Sequence, residues 1–272
     1  MAGEPQTSGS AEPASGQLVE LTVADHVAVL TLANPERRNV LDIAMAAALR
    51  TSVESIAVDD QVRCAIVTGT DGVFAAGADI NEIQNASSEE NLAYNRQLRA
   101  AVNAVATLPV ATIAAVNGHA IGGGLELALA CTLRVASEKA KLGMPEARLG
   151  IIPATGGLAR LPRLIPRSAA ARLLLTGDLV EGPEAAALGM VDLAVAPGAV
   201  EAEALALAQR IATAAPLSTR EIVDALRRDT LLSIADANVR TEDRLARLLA
   251  SEDRREGARA FLERRDPKFR GV

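Results

Sequence analysis

VNGHAIGGGLELALAC, residues Val116–Cys131, joins an apolar strand pattern to an apolar helix pattern through three consecutive glycines. Glycines at such a turn adopt backbone angles that a Cβ atom forbids, and they let another molecule approach the main chain closely. The first N–H groups of the following helix have no acceptor within the helix, so they can bind a negatively charged oxygen. Glu126 is the only charged residue of this stretch and falls in the first turn of the predicted helix.

Simpler interpretations of the same stretch remain open. A glycine cluster is often only a tight turn, and a glutamate near a helix start is often placed there by the helix dipole. The stretch contains neither the G-x-G-x-x-G pattern of dinucleotide sites nor the Gly-Lys-Ser/Thr of a phosphate-binding loop. The ligand at this helix start therefore need not be a phosphate.

The composition indicates a core of small aliphatic side chains. The chain has 272 residues, of which 49% are hydrophobic and only 1% aromatic. This length suits one large domain or a domain with an appendage. A net charge of -6 argues against nucleic acid as the main partner. No apolar segment reaches transmembrane length, so no membrane partner is expected.

The cysteines and the N-terminal segment bear on the compartment. Cys64 and Cys131 lie in apolar patterns and form no C-x-x-C pair, which favours reduced, buried thiols and a cytoplasmic location. Residues 1–16 are rich in Ser, Gly, Pro and Ala and lack the basic and apolar regions of a signal peptide. We predict that they form a disordered tail.

Strand patterns, glycine turns and helix patterns alternate on both sides of the central stretch, which predicts an α/β fold. Strands are expected over 62–69, 110–118, 132–138 and 140–146, two more over 18–35, and helices over 41–58 and 91–108. After Gly150 the patterns are mostly helical. We expect a core over 17–199 and a helical C-terminal region over 200–272, whose apolar stripe is typical of packing or of an oligomer interface.

Four motifs in order carry a resemblance to a known family: NPERRNVL (Asn34–Leu41), FAAGADI (Phe74–Ile80), the central stretch, and KLGMPEARLGIIPATGGLARLPRLI (Lys141–Ile165). With them, the chain from Leu18 to Val272 resembles the enoyl-CoA hydratase/isomerase, or crotonase, family. The resemblance implies a crotonase-like spiral of ββα units with a helical C-terminal trimerisation region. It also implies an acyl-CoA thioester substrate, a homo-trimer or hexamer, and no metal or cofactor besides the coenzyme A of the substrate.

The resemblance further implies the residues of the site. The backbone amides of Ala78 and Gly123 match the two donors of the family's oxyanion hole, which holds the thioester oxygen while an enolate forms. Glu126 and Glu146 match the two glutamates that, in the hydratases, flank the water and the double bond. Taken alone, Glu146 after Pro145 could be only a charge at a helix start. Together with Glu126, it favours hydration, with Glu126 activating water at C3 and Glu146 protonating C2.

Substrate contacts are implied in the segments around these residues. Arg37 and Arg38 could meet the phosphates of coenzyme A, or they could belong to a solvated turn. Asp79 is expected to cap the helix after its turn. Ala154 stands where the hydratases often have glycine, and its extra methyl group could narrow the pocket, which leaves the preferred length of the acyl chain open. The full predicted substrate-binding set is Arg37, Arg38, Val40, Ala76, Asp79, Ile80, Pro145 and Ala154.

The function predicted from the resemblance is an enoyl-CoA hydratase of fatty acid metabolism. One alternative is an enoyl-CoA isomerase that moves a double bond from C3 to C2. Another is a non-catalytic acyl-CoA-binding scaffold on the same fold, since a fold does not guarantee its chemistry.

Overall fold

The structure is a computed structural model that describes residues 17–70 and 72–272, in which the strands form a six-stranded and a four-stranded sheet. The predicted disordered tail, residues 1–16, lies outside the described residues. In chain order the strands are β1 (Val19–Ala24), β2 (Val27–Leu32), β3 (Cys64–Gly69), β4 (Val73–Ala75), β5 (Ala111–Val116), β6 (His119–Ile121), β7 (Leu133–Ser137), β8 (Lys141–Gly143), β9 (Val180–Glu181) and β10 (Leu193–Val195).

Helices connect and cover these strands. They are α1 (Ile43–Ala57), α2 (Ile80–Asn85), α3 (Ser88–Ala106), α4 (Gly123–Ala130), α5 (Gly157–Leu164), α6 (Arg167–Thr176), α7 (Gly182–Leu188), α8 (Val200–Ala212), α9 (Pro216–Arg228), α10 (Ile234–Leu249) and α11 (Glu252–Glu263). Two short 3-10 helices span Pro35–Arg37 and Pro145–Leu149.

From β3 to β8, consecutive strands alternate between the two sheets. The six-stranded sheet has the order β1-β2-β3-β5-β7-β10 and the four-stranded sheet the order β4-β6-β8-β9. In each of the pairs β3–β4, β5–β6 and β7–β8, the first strand therefore joins the large sheet and the second joins the small one. A helical segment follows each pair, so every unit adds one strand to each sheet and the chain advances as a spiral. The predicted α/β spiral of ββα units is confirmed.

Both faces of the six-stranded sheet are buried at its central strands β3 and β5. Along β3, Ala65 and Val67 pack in one apolar cluster, whereas Cys64 and Ile66 pack in a second cluster on the other face. Burial on both faces explains why β3 and β5 appear in the sequence as continuous apolar runs rather than as alternating ones. Cys64 is a buried free thiol, as is Cys131, and burial raises the pKa of both to about 12. Neither is therefore an activated nucleophile.

The helices that follow residue 199 have two different environments. Ala204 and Ala208 of α8 are buried against the second face of the large sheet. By contrast, α9 and α10 leave apolar side chains half exposed or more, namely Ile222, Leu226, Val239, Leu245 and Leu249. Such a surface is typical of an oligomer interface, and the trimer or hexamer stays a prediction. None of the described helices combines the length and hydropathy that crossing a bilayer requires.

Among the single elements predicted above, two boundaries differ from the structure by three residues, and the others by one or two. The helix expected over 91–108 begins three residues earlier, at Ser88, because Ser87 and Glu90 form a reciprocal capping box. The strand expected over 140–146 ends at Gly143, and Pro145 starts a 3-10 helix. Proline lacks the N–H that a continuing strand would use and is accepted at a helix start, so Glu146 lies on a helical turn rather than on a strand.

Candidate active site

The glycines of the central stretch bring α4 close to two other parts of the chain. Gly122 precedes α4 with φ +53, and a Cβ there would lie 2.8 Å from Oε1 of Glu146. A Cβ at Gly124 would lie 2.2 Å from the carbonyl oxygen of Ala75 in β4. Glycine is therefore required at Gly124 by the close approach of the backbone and at Gly122 by its backbone angles. The predicted strand, turn and helix are confirmed.

Glu126 lies in the first turn of α4, whose eight residues are all buried, and only 2% of its surface is exposed. Its carboxylate accepts three hydrogen bonds from Thr155, in the loop before α5, and from Gly157, the first residue of α5. The amides of Thr155 and Gly157 donate to Oε1 at 2.9 and 2.6 Å, and the hydroxyl of Thr155 donates to Oε2 at 2.5 Å. These bonds offset much of the cost of burying a carboxylate.

Glu146 has a different environment, although it is also buried. Among residues 17–70 and 72–272, no group donates a hydrogen bond to its buried Oε2. Its pKa is raised from 4.5 to about 7, chiefly because burial penalises the charged form, and the negative charge of nearby Glu126 adds to the rise. Near neutral pH the Glu146 carboxyl is therefore present in both protonation states, which is the condition for a proton donor or acceptor.

The amides of Ala78 and Gly123 lie at two turns that meet. A Cβ at Gly123 would lie 3.7 Å from the backbone nitrogen of Ala78. Within the described ranges 17–70 and 72–272, neither amide donates a hydrogen bond to a protein acceptor. Two adjacent, unpaired N–H groups, one of them at the first residue of α4, can together bind a single oxygen atom that carries negative charge.

The turn that contains Ala78 is held by residues on either side of it. The amide of Leu41 donates to the carbonyl of Gly77 at 2.7 Å. The hydroxyl of Tyr94 accepts from the amide of Asp79 at 2.9 Å and donates to the carbonyl of Leu41 at 2.6 Å. Tyr94 is buried and is the only tyrosine of the chain. It therefore joins the two segments next to the free amide, and no sequence motif had indicated this role.

The charged residues beside this turn pair with one another. Asp79 accepts from the amide of Asn81 at 2.9 Å, so its predicted role as the cap of α2 is confirmed. The guanidinium of Arg37 contacts the carboxylates of both Asp42 and Asp79. Arg38 is exposed, and its carbonyl accepts from the amide of Ala76 at 3.1 Å. Of this pair, only Arg38 has no carboxylate partner among the described residues.

The other predicted contact residues lie in two groups. Val40 is buried and Ile80 is half exposed, both beside the Ala78 turn. Pro145 and Ala154 are each partly buried and adjoin Glu146 and Thr155 in the chain. The structure thus brings one part of the predicted set to the free amides and the other part to the carboxylates. Thr155 was not in the predicted set, although a hydroxyl next to Ala154 in the motif could have indicated it.

The arrangement combines the parts that enolate chemistry needs. Two free amides can hold an oxyanion, one buried carboxylate is held by three donors, and a second carboxyl exchanges protons near neutral pH. In the parts of the chain that the structure describes, no three His, Cys, Asp or Glu side chains are grouped to hold a metal ion.

Comparisons with known proteins agree with this geometry. The sequence profile of the enoyl-CoA hydratase/isomerase family matches residues 22–272. Human enoyl-CoA hydratase domain-containing protein 2, mitochondrial, is 40% identical over 242 residues, which is 87% of this chain and 83% of that protein. The 2,3-dehydroadipyl-CoA hydratase of Escherichia coli is 38% identical over 247 residues, 90% of this chain and 95% of that protein. A crystal structure of enoyl-CoA hydratase from Bacillus anthracis has a TM-score of 0.92 and 33% identity, covering 94% of this chain and 100% of that one. The chain therefore belongs to the enoyl-CoA hydratase/isomerase, or crotonase, family.

Proposed function

We propose that this chain is an enoyl-CoA hydratase, which adds water across the C2–C3 double bond of a trans-2-enoyl-CoA to give a 3-hydroxyacyl-CoA. The observation that supports this most directly is the unequal carboxyl pair. Glu126 is held by three hydrogen-bond donors, whereas Glu146 has a pKa of about 7 and no donor on Oε2 among the described residues. Hydration needs two such groups, one to activate water and one to supply a proton.

The thioester oxygen of the substrate binds between the amides of Ala78 and Gly123. These N–H groups stabilise the negative charge that the oxygen gains as C3 is attacked and the enolate forms. One such donor is typically worth about 3 to 4 kcal/mol of barrier. Because the amides belong to turns fixed by Tyr94 and by the close packing of Gly124, they do not have to reorganise during the reaction. The coenzyme A moiety then runs along the segments that contain Arg38 and Ala76.

Water addition proceeds between the two glutamates. Glu126 orients a water molecule and takes one of its protons as the oxygen bonds to C3. Glu146, in its protonated form, gives a proton to C2 of the enolate. A proton transfer from Glu126 back to Glu146 restores both groups, so the net reaction consumes one water molecule and no other reactant.

Isomerisation is the second candidate, and the state of Glu146 favours it to some extent. A carboxyl with a pKa of about 7 and no donor on Oε2 from the described residues can both remove and return a proton. Moving a double bond needs only this one group together with the oxyanion hole. The three bonds that hold Glu126 have no use in that reaction, and we therefore place hydration first.

Loss of the enoyl absorbance of crotonyl-CoA tests the proposal directly. We expect turnover by the wild-type protein and a fall of about a hundredfold or more in Glu126→Gln and in Glu146→Gln. Glu138→Gln, at an exposed position, is the matched control and should keep its activity. Wild-type conversion of a 3-enoyl-CoA without hydration of crotonyl-CoA would instead favour the isomerase. Binding of the thioester with neither reaction would favour the non-catalytic scaffold.

A further inference from the structure

Thr155 is the only side chain that donates to Glu126 within residues 17–70 and 72–272. Its hydroxyl lies 2.5 Å from Oε2, whereas both donors to Oε1 are backbone amides. Thr155 is only 3% exposed, so bulk water does not compete for this bond. The contact at Oε2 therefore depends on the identity of the side chain at position 155, and the contacts at Oε1 do not.

The bond at Oε2 determines the orientation of the carboxylate. The terminal torsion of a glutamate is broad, so a carboxylate held only at Oε1 could rotate about that bond. Thr155 binds both oxygens, one through its amide and the other through its hydroxyl. Two donors from a single residue fix the plane of the carboxylate and leave its remaining lone pairs in a constant direction.

Thr155 is itself held by a residue that forms no hydrogen bond or ion pair with Glu126 within residues 17–70 and 72–272. The guanidinium of Arg160 donates to the carbonyl of Thr155 at 3.1 Å and to the side chain of Asn103 in α3 at 2.8 Å. Gly156 between them has φ +126, and a Cβ there would lie 1.9 Å from the guanidinium. The loop is therefore fixed against both α3 and α5 without any contribution from a substrate.

We propose that Thr155 is a positioning residue for water addition, acting through the hydrogen bond from its hydroxyl to Glu126. This rests on the proposed function, because it is hydration that uses Glu126 to orient water. Proton exchange at C2 uses Glu146 and the oxyanion hole instead. Loss of the Thr155 hydroxyl should therefore affect water addition and leave C2 exchange almost unchanged. A general disturbance of the site would reduce both reactions together.

Two substitutions separate the hydroxyl from the shape of the side chain. Thr155→Val removes the hydroxyl and keeps the volume, and Thr155→Ser keeps the hydroxyl. We expect kcat for hydration to fall about 10- to 100-fold in Thr155→Val, the usual effect of one hydrogen bond to a charged group, with little change in KM. Thr155→Ser should recover most of this loss. Thr51→Val, which removes an exposed hydroxyl in α1, is the matched control.

The companion measurement is the rate of deuterium exchange at C2 of a saturated acyl-CoA. In Thr155→Val this rate should stay within about twofold of the wild-type rate, because Glu146 and the oxyanion hole are unchanged. Three results would overturn the proposal. They are an unchanged kcat for hydration in Thr155→Val, a Thr155→Ser variant as slow as Thr155→Val, or a parallel fall in C2 exchange.

A measurement without substrate keeps this inference separate from the proposed function. The carboxyl carbon of Glu126 can be observed by NMR after 13C labelling of glutamate and identified by its loss in Glu126→Gln. Its resonance should move in Thr155→Val and return in Thr155→Ser. If the wild-type protein hydrates no enoyl-CoA, the proposed function fails and this signal still reports the hydrogen bond. An unmoved signal in Thr155→Val would show that the bond is absent in solution.

Discussion

Replacing Glu146 by glutamine tests whether the buried Glu146 carboxyl lacks interactions that would offset the cost of ionising it in the folded protein. The pKa of Glu146 rises from 4.5 to about 7 on folding, chiefly through burial. One pKa unit corresponds to about 1.4 kcal/mol, so ionising this group in the folded state costs about 3 kcal/mol more than in the unfolded chain. The folded protein binds the proton of Glu146 more tightly than the unfolded chain does. This tighter binding stabilises the folded state fully below pH 4.5, and the stabilisation is lost as the pH rises through about 7.

The expected result is a difference between two stability profiles. Glutamine is neutral at every pH, so Glu146→Gln lacks this pH dependence. We expect the unfolding free energy of wild type minus that of the variant to fall by about 2 to 3 kcal/mol between about pH 5 and about pH 8. Urea unfolding at one fixed protein concentration measures both proteins, which keeps any effect of assembly the same in each.

Glu138→Gln provides the control for this experiment. It makes the same chemical change at an exposed position, so its difference from wild type should not follow this profile. A difference between wild type and Glu146→Gln that is constant with pH would refute the reasoning. In that case Glu146 would either be solvated or have a hydrogen-bond donor in solution.

Three further predictions concern the oxyanion hole, its support and the assembly. Gly123→Pro removes one N–H at the first residue of α4, where proline is well accepted, so the protein should fold and turn over crotonyl-CoA about a hundredfold to a thousandfold more slowly. A folded Gly123→Pro variant with near-normal turnover would count against the oxyanion assignment. Tyr94→Phe leaves the amide of Asp79 and the carbonyl of Leu41 without their partner. The unfolding free energy, measured by thermal unfolding, should therefore fall by about 1 to 3 kcal/mol, and kcat should fall as well. Equal stability and kcat in wild type and Tyr94→Phe would show that the hydroxyl is not needed. Light scattering at micromolar concentration should give the mass of three or six chains, because α9 and α10 expose apolar side chains, and a monomer mass would exclude this interface.

The central stretch shows how much local sequence can predict. The three glycines, the apolar run and the carboxylate at Glu126 predicted a strand, a turn and a helix start, and all three are present. These features can be predicted from the sequence because the positive φ of Gly122 favours glycine, and because an apolar run indicates burial along one element. The start of α3 was also readable, from the capping box of Ser87 and Glu90, but the apolar spacing alone placed it too late.

The residues predicted for the site by motif resemblance lie where turns and helices meet. Glu126 and Glu146 are both buried and close enough for the charge of one to raise the pKa of the other. Ala78 and Gly123 have adjacent amides. Their roles in catalysis stay predictions that the proposed variants test. For Arg37, the structure adds two carboxylate partners that the motif did not indicate.

The sequence by itself determined the order of most elements, the glycine turns, the aliphatic core and the family. These depend on local backbone preferences and on burial patterns that repeat along the chain. Only the tertiary structure decided that Thr155 holds Glu126 from 29 residues away and that Arg37 binds Asp79 from 42 residues away. It also decided that Glu146 is buried near Glu126, which raises its pKa to about 7, and that its Oε2 has no donor among the described residues. The physical reason is that hydrogen bonds and desolvation at the site depend on which distant segments packing brings together, and no local pattern specifies that.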